Sequence, residues 1–264
     1  MRYITDHDLH IHTQLSSCSR DPEQTVENIL AYGKDNGFTT LCLTDHMWDS
    51  AVPSPSDWYR PQSLEHIREV LPLPESEEIT CLFGCETELD KNCTLGISRE
   101  AIDTLDFVII PTTHLHMNGF TCRGDEGIEE RAALWCSRLE AVLNMDLPFH
   151  KIGIAHLTCH LMMKDHTIEL LNSIPDAEYR RLFARAAKLG VGIELNFSSI
   201  GRNEADLEAE LRPFRIAKEE GCKFYFGRDA HHPKDFLQAK ENFEHIVDLL
   251  ALEESDKFHL SAEK

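Results

Sequence analysis

The chain has 264 residues, 42% hydrophobic and 27% charged, an ordinary globular composition with ample apolar material for a core. A formal net charge of -20, with Lys and Arg scattered and outnumbered, argues against long DNA or RNA as a partner. No run reaches the roughly eighteen apolar residues of a membrane span, no apolar leader follows Met1, and nine cysteines lack any C-x-x-C pair, so a cytoplasmic protein with reduced thiols and no membrane partner is expected.

Short apolar runs alternate with amphipathic stretches. Strands are predicted over 8–11, 40–44, 79–85, 107–111, 152–155, 192–195 and 223–226, each short and rich in β-branched or aromatic residues, as buried parallel strands are. After the first of them, Asp21-Pro22-Glu23-Gln24 carries a helix-start signal. Asp21 is the expected cap, Pro22 the first helical residue and Gln24 the partner in a capping box, with Gly37 as the stop. The segment 49–74, rich in Pro, Ser and charge, is expected to be a long loop or lid with a short helix near 63–70. Further helices are predicted over 128–143, 177–189, 207–220 and 236–252, the third kinked or broken at Pro213. Strand-helix alternation along the whole length implies a parallel sheet with right-handed crossovers, closed into a barrel or near-barrel as one domain over residues 1–264.

Such folds gather their active site at the C-terminal ends of the strands. Metal-capable side chains stand there in succession: His10 and His12, Asp45 and His46, Glu86, His114, His156, Asn196, then Asp229 and His231. His10-x-His12 places two imidazoles on one side of an extended segment. Asp45 is expected to orient His46. Glu86 ends an apolar strand, where a carboxylate is costly unless paired or metal-bound, and its two oxygens suit a bridging role; Glu88 is its rival. His114 is favoured over His116, and His160 is expected to be structural. In Gly227-Arg228-Asp229-Ala230-His231-His232, Asp229 and His231 share a side. Arg228 and Arg202 are either phosphate clamps or structural partners. Fifteen histidines exceed what packing needs, and no phosphate loop, serine elbow or dinucleotide fingerprint occurs.

Asp8-Leu9-His10-Ile11-His12-Thr13, Leu43-Thr44-Asp45-His46, the middle ligands Glu86, His114 and His156, and Asp229-x-His231 together resemble the PHP family, the polymerase and histidinol phosphatase domain, over essentially the whole chain. The resemblance implies a distorted (β/α)7 barrel with two or three divalent ions, Zn, Mn or Fe. One ion would be held by His10, His12, Glu86 and Asp229, a second by Glu86, His114 and His156. The third would use His46, His231 and one residue of the loop after the first strand. The family has His or Asp six residues beyond the second histidine, where Cys18 stands here. Counting back from Gly37 puts Asp21 at that position if three residues are inserted, so Asp21 is favoured with Cys18 as a thiolate alternative.

The implied activity is hydrolysis of a small phosphomonoester, histidinol-phosphatase-like, by a metal-bridging hydroxide, with Glu86, Asp229 and His231 as the residues on which catalysis rests. The alternatives are an amidohydrolase, a phosphodiesterase or nuclease, and a metal-binding module without activity. The first is disfavoured by Glu86 at the strand end where a modified lysine would bridge, the second by the acidity of the chain, and the third by the nearly complete ligand set.

Overall fold

The computed structural model describes residues 1–196, 200 and 205–260. Strands and helices alternate in the order β1 (His7–Ile11), α1 (Val26–Asn36), β2 (Thr40–Leu43), α2 (Leu64–Ile67), β3 (Thr80–Glu86), α3 (Arg99–Asp103), β4 (Phe107–Pro111), α4 (Ile128–Leu143), β5 (Ile152–Ala155), α5 (Thr167–Ser173), α6 (Asp176–Leu189), β6 (Gly192–Leu195), α7 (Leu207–Glu219), β7 (Lys223–Phe226) and α8 (Ala239–Leu250). Seven parallel strands lie in sequence order in one sheet that curls into a nearly closed, distorted (β/α)7 barrel. The last four strands begin and end where the apolar runs predicted. No helix among the described residues is long and apolar enough to cross a membrane, and all nine cysteines are free.

The sheet buries both faces, which is why its strands are nearly continuous apolar runs. Outward-facing Leu41, Val108, Ile154, Ile193 and Phe224 pack against helix residues such as Ile29, Trp135, Leu182, Phe214 and Phe243. Inside the barrel, Leu9, Cys42, Phe107, Ile109, Ala155, Tyr225 and Phe258 form a separate apolar cluster. Its rings fit because small residues face them. A Cβ on Gly153 would lie 2.5 Å from both the Phe107 ring and the Tyr225 hydroxyl, and one on Gly84 would lie 2.5 Å from the Phe107 carbonyl oxygen.

Between β1 and β7 the barrel closes without a regular ladder. The Phe226 N–H donates to the His7 imidazole (3.1 Å) and the Arg228 N–H to the Asp8 carboxylate (3.0 Å). Only past these do backbone bonds take over, from Asp229 N to His10 O (2.8 Å) and from His12 N to Ala230 O (3.0 Å). β1 is itself irregular: it pairs Asp8 with Leu41 but Ile11 with Leu43, so one extra residue is accommodated around His10. A bulge of this kind re-aims side chains.

Several local expectations give way to tertiary packing. Thr25, not Asp21, caps α1 by accepting from Asn28 N, and Gln24 donates to His12 O (2.8 Å) across the seam instead of completing a capping box. The chain from Asp21 to Gln24 is thereby drawn toward the barrel mouth, and the helix starts later. α7 runs uninterrupted through Pro213, because burial of Leu211, Phe214, Ile216 and Ala217 outweighs one lost hydrogen bond. The helix predicted over 236–252 starts only at Ala239, after a 3-10 turn and a left-handed Gln238 (φ 56°). Segment 49–74 carries its short helix but is fastened, not hanging. Trp48 N donates to Gln62 O (2.9 Å), Ser17 N to the Gln62 side chain (2.7 Å), and His66 Nε2 lies 2.9 Å from Leu15 O.

The Phe107 carbonyl is held by the ladder between β3 and β4, so a methyl group at position 84 has nowhere to go. Gly84→Ala is expected to lower unfolding stability by about 1–3 kcal/mol, measured by chemical denaturation; an unchanged midpoint and slope would contradict this packing.

Candidate metal centre

Glu86, the last residue of β3, is 1% exposed and stands among five imidazoles. Its Oε2 lies 3.3 Å from His10 Nε2, 3.3 Å from His12 Nε2 and 3.1 Å from His46 Nδ1. Its Oε1 lies 3.1 Å from His156 Nε2 and 3.9 Å from His114 Nε2. Asp229 approaches from the other side, with Oδ1 3.2 Å from His12 Nε2 and 3.4 Å from His10 Nε2. The His231 ring stacks on that of His12 at 4.2 Å. Access is from the β7 side: the side chains of Asp229 and His231 are each 23% exposed, against at most 9% for the other six.

Electrostatics make the same point. Burial alone would raise the Glu86 carboxyl, yet the imidazoles of His10 and His12 hold it well below the carboxylate range. Burial opposes charge on His10 as well, and Glu194, Asp229 and Glu86 overcome it and raise the imidazole. His46 goes the opposite way, driven well down by burial with His12, His231 and His114 adding to the effect. A neutral His46 thus presents Nδ1 3.1 Å from a carboxylate oxygen without a hydrogen bond between them. The in-plane direction of Nδ1 is thus left without a protein partner among the described residues, as that of a ligand awaiting a cation would be.

Three sets of donor atoms lie within 4.8 Å of one another and could hold an ion: His10, His12, Glu86 and Asp229; Glu86, His114 and His156; and His12, His46 and His231. Imidazole and carboxylate suit divalent zinc, manganese or iron, so the residues fit the expected ions. Glu86 has two oxygens and can serve two sets. His12 belongs to two sets, but its Nδ1 is engaged elsewhere, leaving one lone pair for one ion.

Each imidazole is oriented by a specific neighbour. His10 Nδ1 is 2.6 Å from Glu194 Oε1, so its proton sits there and Nε2 faces the centre. Ser16 Oγ donates to Asp45 (2.6 Å), accepts the His46 N–H (3.0 Å) and lies 3.0 Å from His12 Nδ1. Its remaining lone pair can only accept, which puts the His12 proton on Nδ1. Asp45 therefore acts on Ser16 and Thr13, not on the His46 ring as the sequence suggested. His114 Nδ1 faces Glu88 at 2.9 Å, and Glu88 is held by the buried Arg138 at 3.2 Å. His156 Nδ1 lies 3.1 Å from Thr113 Oγ1. His231 Nδ1 lies 2.9 Å from the Asp229 carbonyl.

Two of the eight residues sit in left-handed backbone, His156 at φ 32° and Asp229 at φ 56°. For side chains other than glycine this costs on the order of 1–3 kcal/mol each and persists only where the surroundings dictate it. Here the His156 N–H donates to Glu194 Oε2 (2.7 Å) and the Asp229 N–H to His10 O (2.8 Å). Glu194 packs so tightly that a Cβ on Gly227 would fall 2.1 Å from its Oε1.

Eight of the nine expected ligands converge. Asp21 does not: it caps Glu23 N (3.0 Å) and faces His232 at 3.7 Å. The described residue that completes the set with His46 and His231 is His12. Cys18 lies near enough for Asp229 and Glu86 to raise its thiol, on top of burial. Glu88 orients His114 instead of rivalling Glu86. Arg228 donates its Nε to the Asp235 carbonyl, and Arg202 lies outside the described residues. Glu194, Ser16 and Arg138 were missed. Glu194 carried the same signal as Glu86, a carboxylate inside an apolar strand, and Arg138 stands on the apolar face of α4 three residues after Trp135. Ser16 carried no signal.

A solved structure of histidinol phosphate phosphatase from Lactococcus lactis subsp. lactis, complexed with zinc, L-histidinol and phosphate, is similar to this chain with a TM-score of 0.65 and 15% identity, covering 97% of this chain and 99% of that one. At that identity it attests the fold. Dihydropteroate synthase from Xanthomonas albilineans also aligns, over 91% of this chain and 93% of that one at 13% identity, but its TM-score of 0.38 carries no argument. No curated protein matches the sequence. The model of the PHP domain matches residues 8–261, nearly the whole chain, and with the motif order on the strand ends this shows that the chain belongs to the PHP domain family.

Proposed function

We propose that the protein is a metal-dependent phosphoesterase that hydrolyses a small phosphomonoester, with two or three divalent ions (Zn, Mn or Fe) held by His10, His12, His46, Glu86, His114, His156, Asp229 and His231. The observation that carries the reading is Glu86 between two sets of imidazole nitrogens, one on each oxygen. Divalent ions bound there lower the pKa of water toward neutrality and neutralise charge on phosphoryl oxygens. The chain's own work is to keep every ligand lone pair available. Glu194, Ser16, Glu88 and Thr113 hold the Nδ1 protons of His10, His12, His114 and His156, so the proton that a metal ion displaces from a charged ring is the one on the facing Nε2. No side-chain nucleophile is required. Substrate enters from the side where Asp229 and His231 are open. Arg228, which precedes Asp229 in the chain and has its Nε engaged by the Asp235 carbonyl, is the candidate phosphate clamp. A histidinol-phosphatase-like substrate is favoured by the likeness in fold to the zinc- and phosphate-bound enzyme.

The decisive experiment is elemental analysis of the purified protein followed by a panel of phosphomonoesters, phosphodiesters and cyclic amides with and without chelator. Metal-dependent turnover of monoesters is expected, and cleavage of an amide alone would replace the reading. Glu86→Ala and Asp229→Ala are each expected to lower kcat/KM on the order of 10³-fold or more with an unchanged circular dichroism spectrum. Glu194→Gln leaves one acceptor where His10 Nδ1 and His156 N need two, so metal affinity should fall roughly 10- to 100-fold. Competition with a chromogenic chelator measures it, and wild-type affinity would show that Glu194 does not orient these ligands.

A further inference from the structure

Of the three tryptophans in the chain, Trp48 and Trp135 are 2% and 0% exposed, whereas Trp58 stays partly exposed. Its indole packs on the ring of His46 (5.0 Å, 71°), a donor of the set that also contains His12 and His231. The loop after β1 links it to the open side of the centre. The Gln62 side chain donates to Trp58 O (3.0 Å) and accepts from Ser17 N (2.7 Å), and two residues further on Ser19 donates to His231 O (2.8 Å). Cys18, between these two anchors, lies within reach of the charges on Asp229 and Glu86. Trp58, residues 17–19 and His231 therefore follow one another along a single rim, and its two ends, Trp58 and His231, are both open to solvent.

Indole surface left in water beside a polar centre is costly, and here it is also held still. Besides His46, Tyr59 brackets the ring at 4.7 Å and 89°. An aromatic face fixed before a ligand arrives loses little conformational entropy when the ligand stacks on it. When a phosphomonoester enters phosphoryl group first beside Asp229 and His231, its ester substituent is the part that remains at the rim. An indole there suits a flat, conjugated substituent better than a small aliphatic one. We propose that Trp58 is a specificity-determining residue whose indole stacks on a planar ring carried by the alcohol portion of the substrate, so that monoesters of aromatic or heteroaromatic alcohols are preferred. The proposal rests on the phosphoesterase reading above.

The test uses phenylphosphonate and methylphosphonate, which present the same anionic head with and without a ring and are not hydrolysed. Each is titrated into the metal-loaded protein while tryptophan fluorescence is quenched with acrylamide, for which the partly exposed Trp58 is the reporter. Phenylphosphonate is expected to shield the fluorescence and methylphosphonate to leave it accessible. Trp58→Leu is expected to lower phenylphosphonate affinity and kcat/KM for phenyl phosphate about 5- to 50-fold. Methylphosphonate affinity, kcat/KM for methyl phosphate and metal content should match the wild type, and Trp58→Phe, which keeps a ring, should fall between. Equal loss for both phosphonates, or loss for neither, overturns the assignment, as does loss of metal, since Trp58 would then serve His46 and the ions. If Trp58→Leu does not fold, Trp58→Phe and the shielding of the wild type decide the matter by the same criteria. If the wild type binds neither phosphonate and hydrolyses no ester, the phosphoesterase reading fails and this one falls with it. If it does both without discriminating ring from methyl, only the role of Trp58 is lost.

Discussion

Everything in this molecule is arranged around one carboxylate that burial alone would neutralise. Glu86 is 1% exposed at the end of an apolar strand, and five imidazoles approach its two oxygens within 3.9 Å. Isolated, such a charge would be driven to take up a proton. Surrounded by histidines it stays ionised, and the histidines divide: His10 is pushed toward the charged form by Glu194, Asp229 and Glu86, while His46 is pushed toward the neutral one by burial and its imidazole neighbours. This unequal division, with an unbonded imidazole nitrogen left beside Glu86, is what a set of donors looks like when its charge balance is completed by cations.

The barrel supplies this arrangement at its least regular place. His7 and Asp8 replace ladder bonds with side-chain acceptors, β1 carries an extra residue around His10, and backbone pairing resumes only at Asp229 and Ala230. A regular parallel ladder would fix the direction of every side chain along β1. The irregular closure lets His10, His12 and Asp229 turn toward the same point. The left-handed backbone at His156 and Asp229 belongs to the same economy of design, since the bonds that hold it, to Glu194 and to His10, are also bonds that place the ligands.

Glu194 links these features. One oxygen takes the His10 proton, the other holds the strained His156 peptide, and Gly227 is bare so that the carboxylate can fit. It is engaged with at least two of the convergent histidines without joining any donor set, so its loss would be felt on both sides of Glu86. Glu88 and Arg138 form a similar pair behind His114, where a buried ion pair is held by four backbone carbonyls in addition to the carboxylate.

Element type and strand-end chemistry were legible in the residues themselves. Buried parallel strands must be short apolar runs, so 107–111, 152–155, 192–195 and 223–226 could be placed without coordinates, and a polar residue that ends such a run is conspicuous because burying it is costly. This is why Glu86, His156 and Asp229 stood out. What orients them did not. Ser16, a small polar residue in a loop, looks like any other until folding puts its hydroxyl between Asp45, His46 and His12. Asp21 had a sound local reading as a cap, but the seam draws Gln24 to His12 O and Thr25 takes the cap instead. Tyr59 lay in a stretch whose Pro, Ser and charge suggested a long loop or lid, and only the structure shows its ring packed on His46. Local pattern determined which residues must be buried and which burials needed an explanation. Tertiary structure alone decided which nitrogen of each imidazole faces the centre, because a proton's position depends on the one hydrogen-bond partner brought to it from a distant part of the chain.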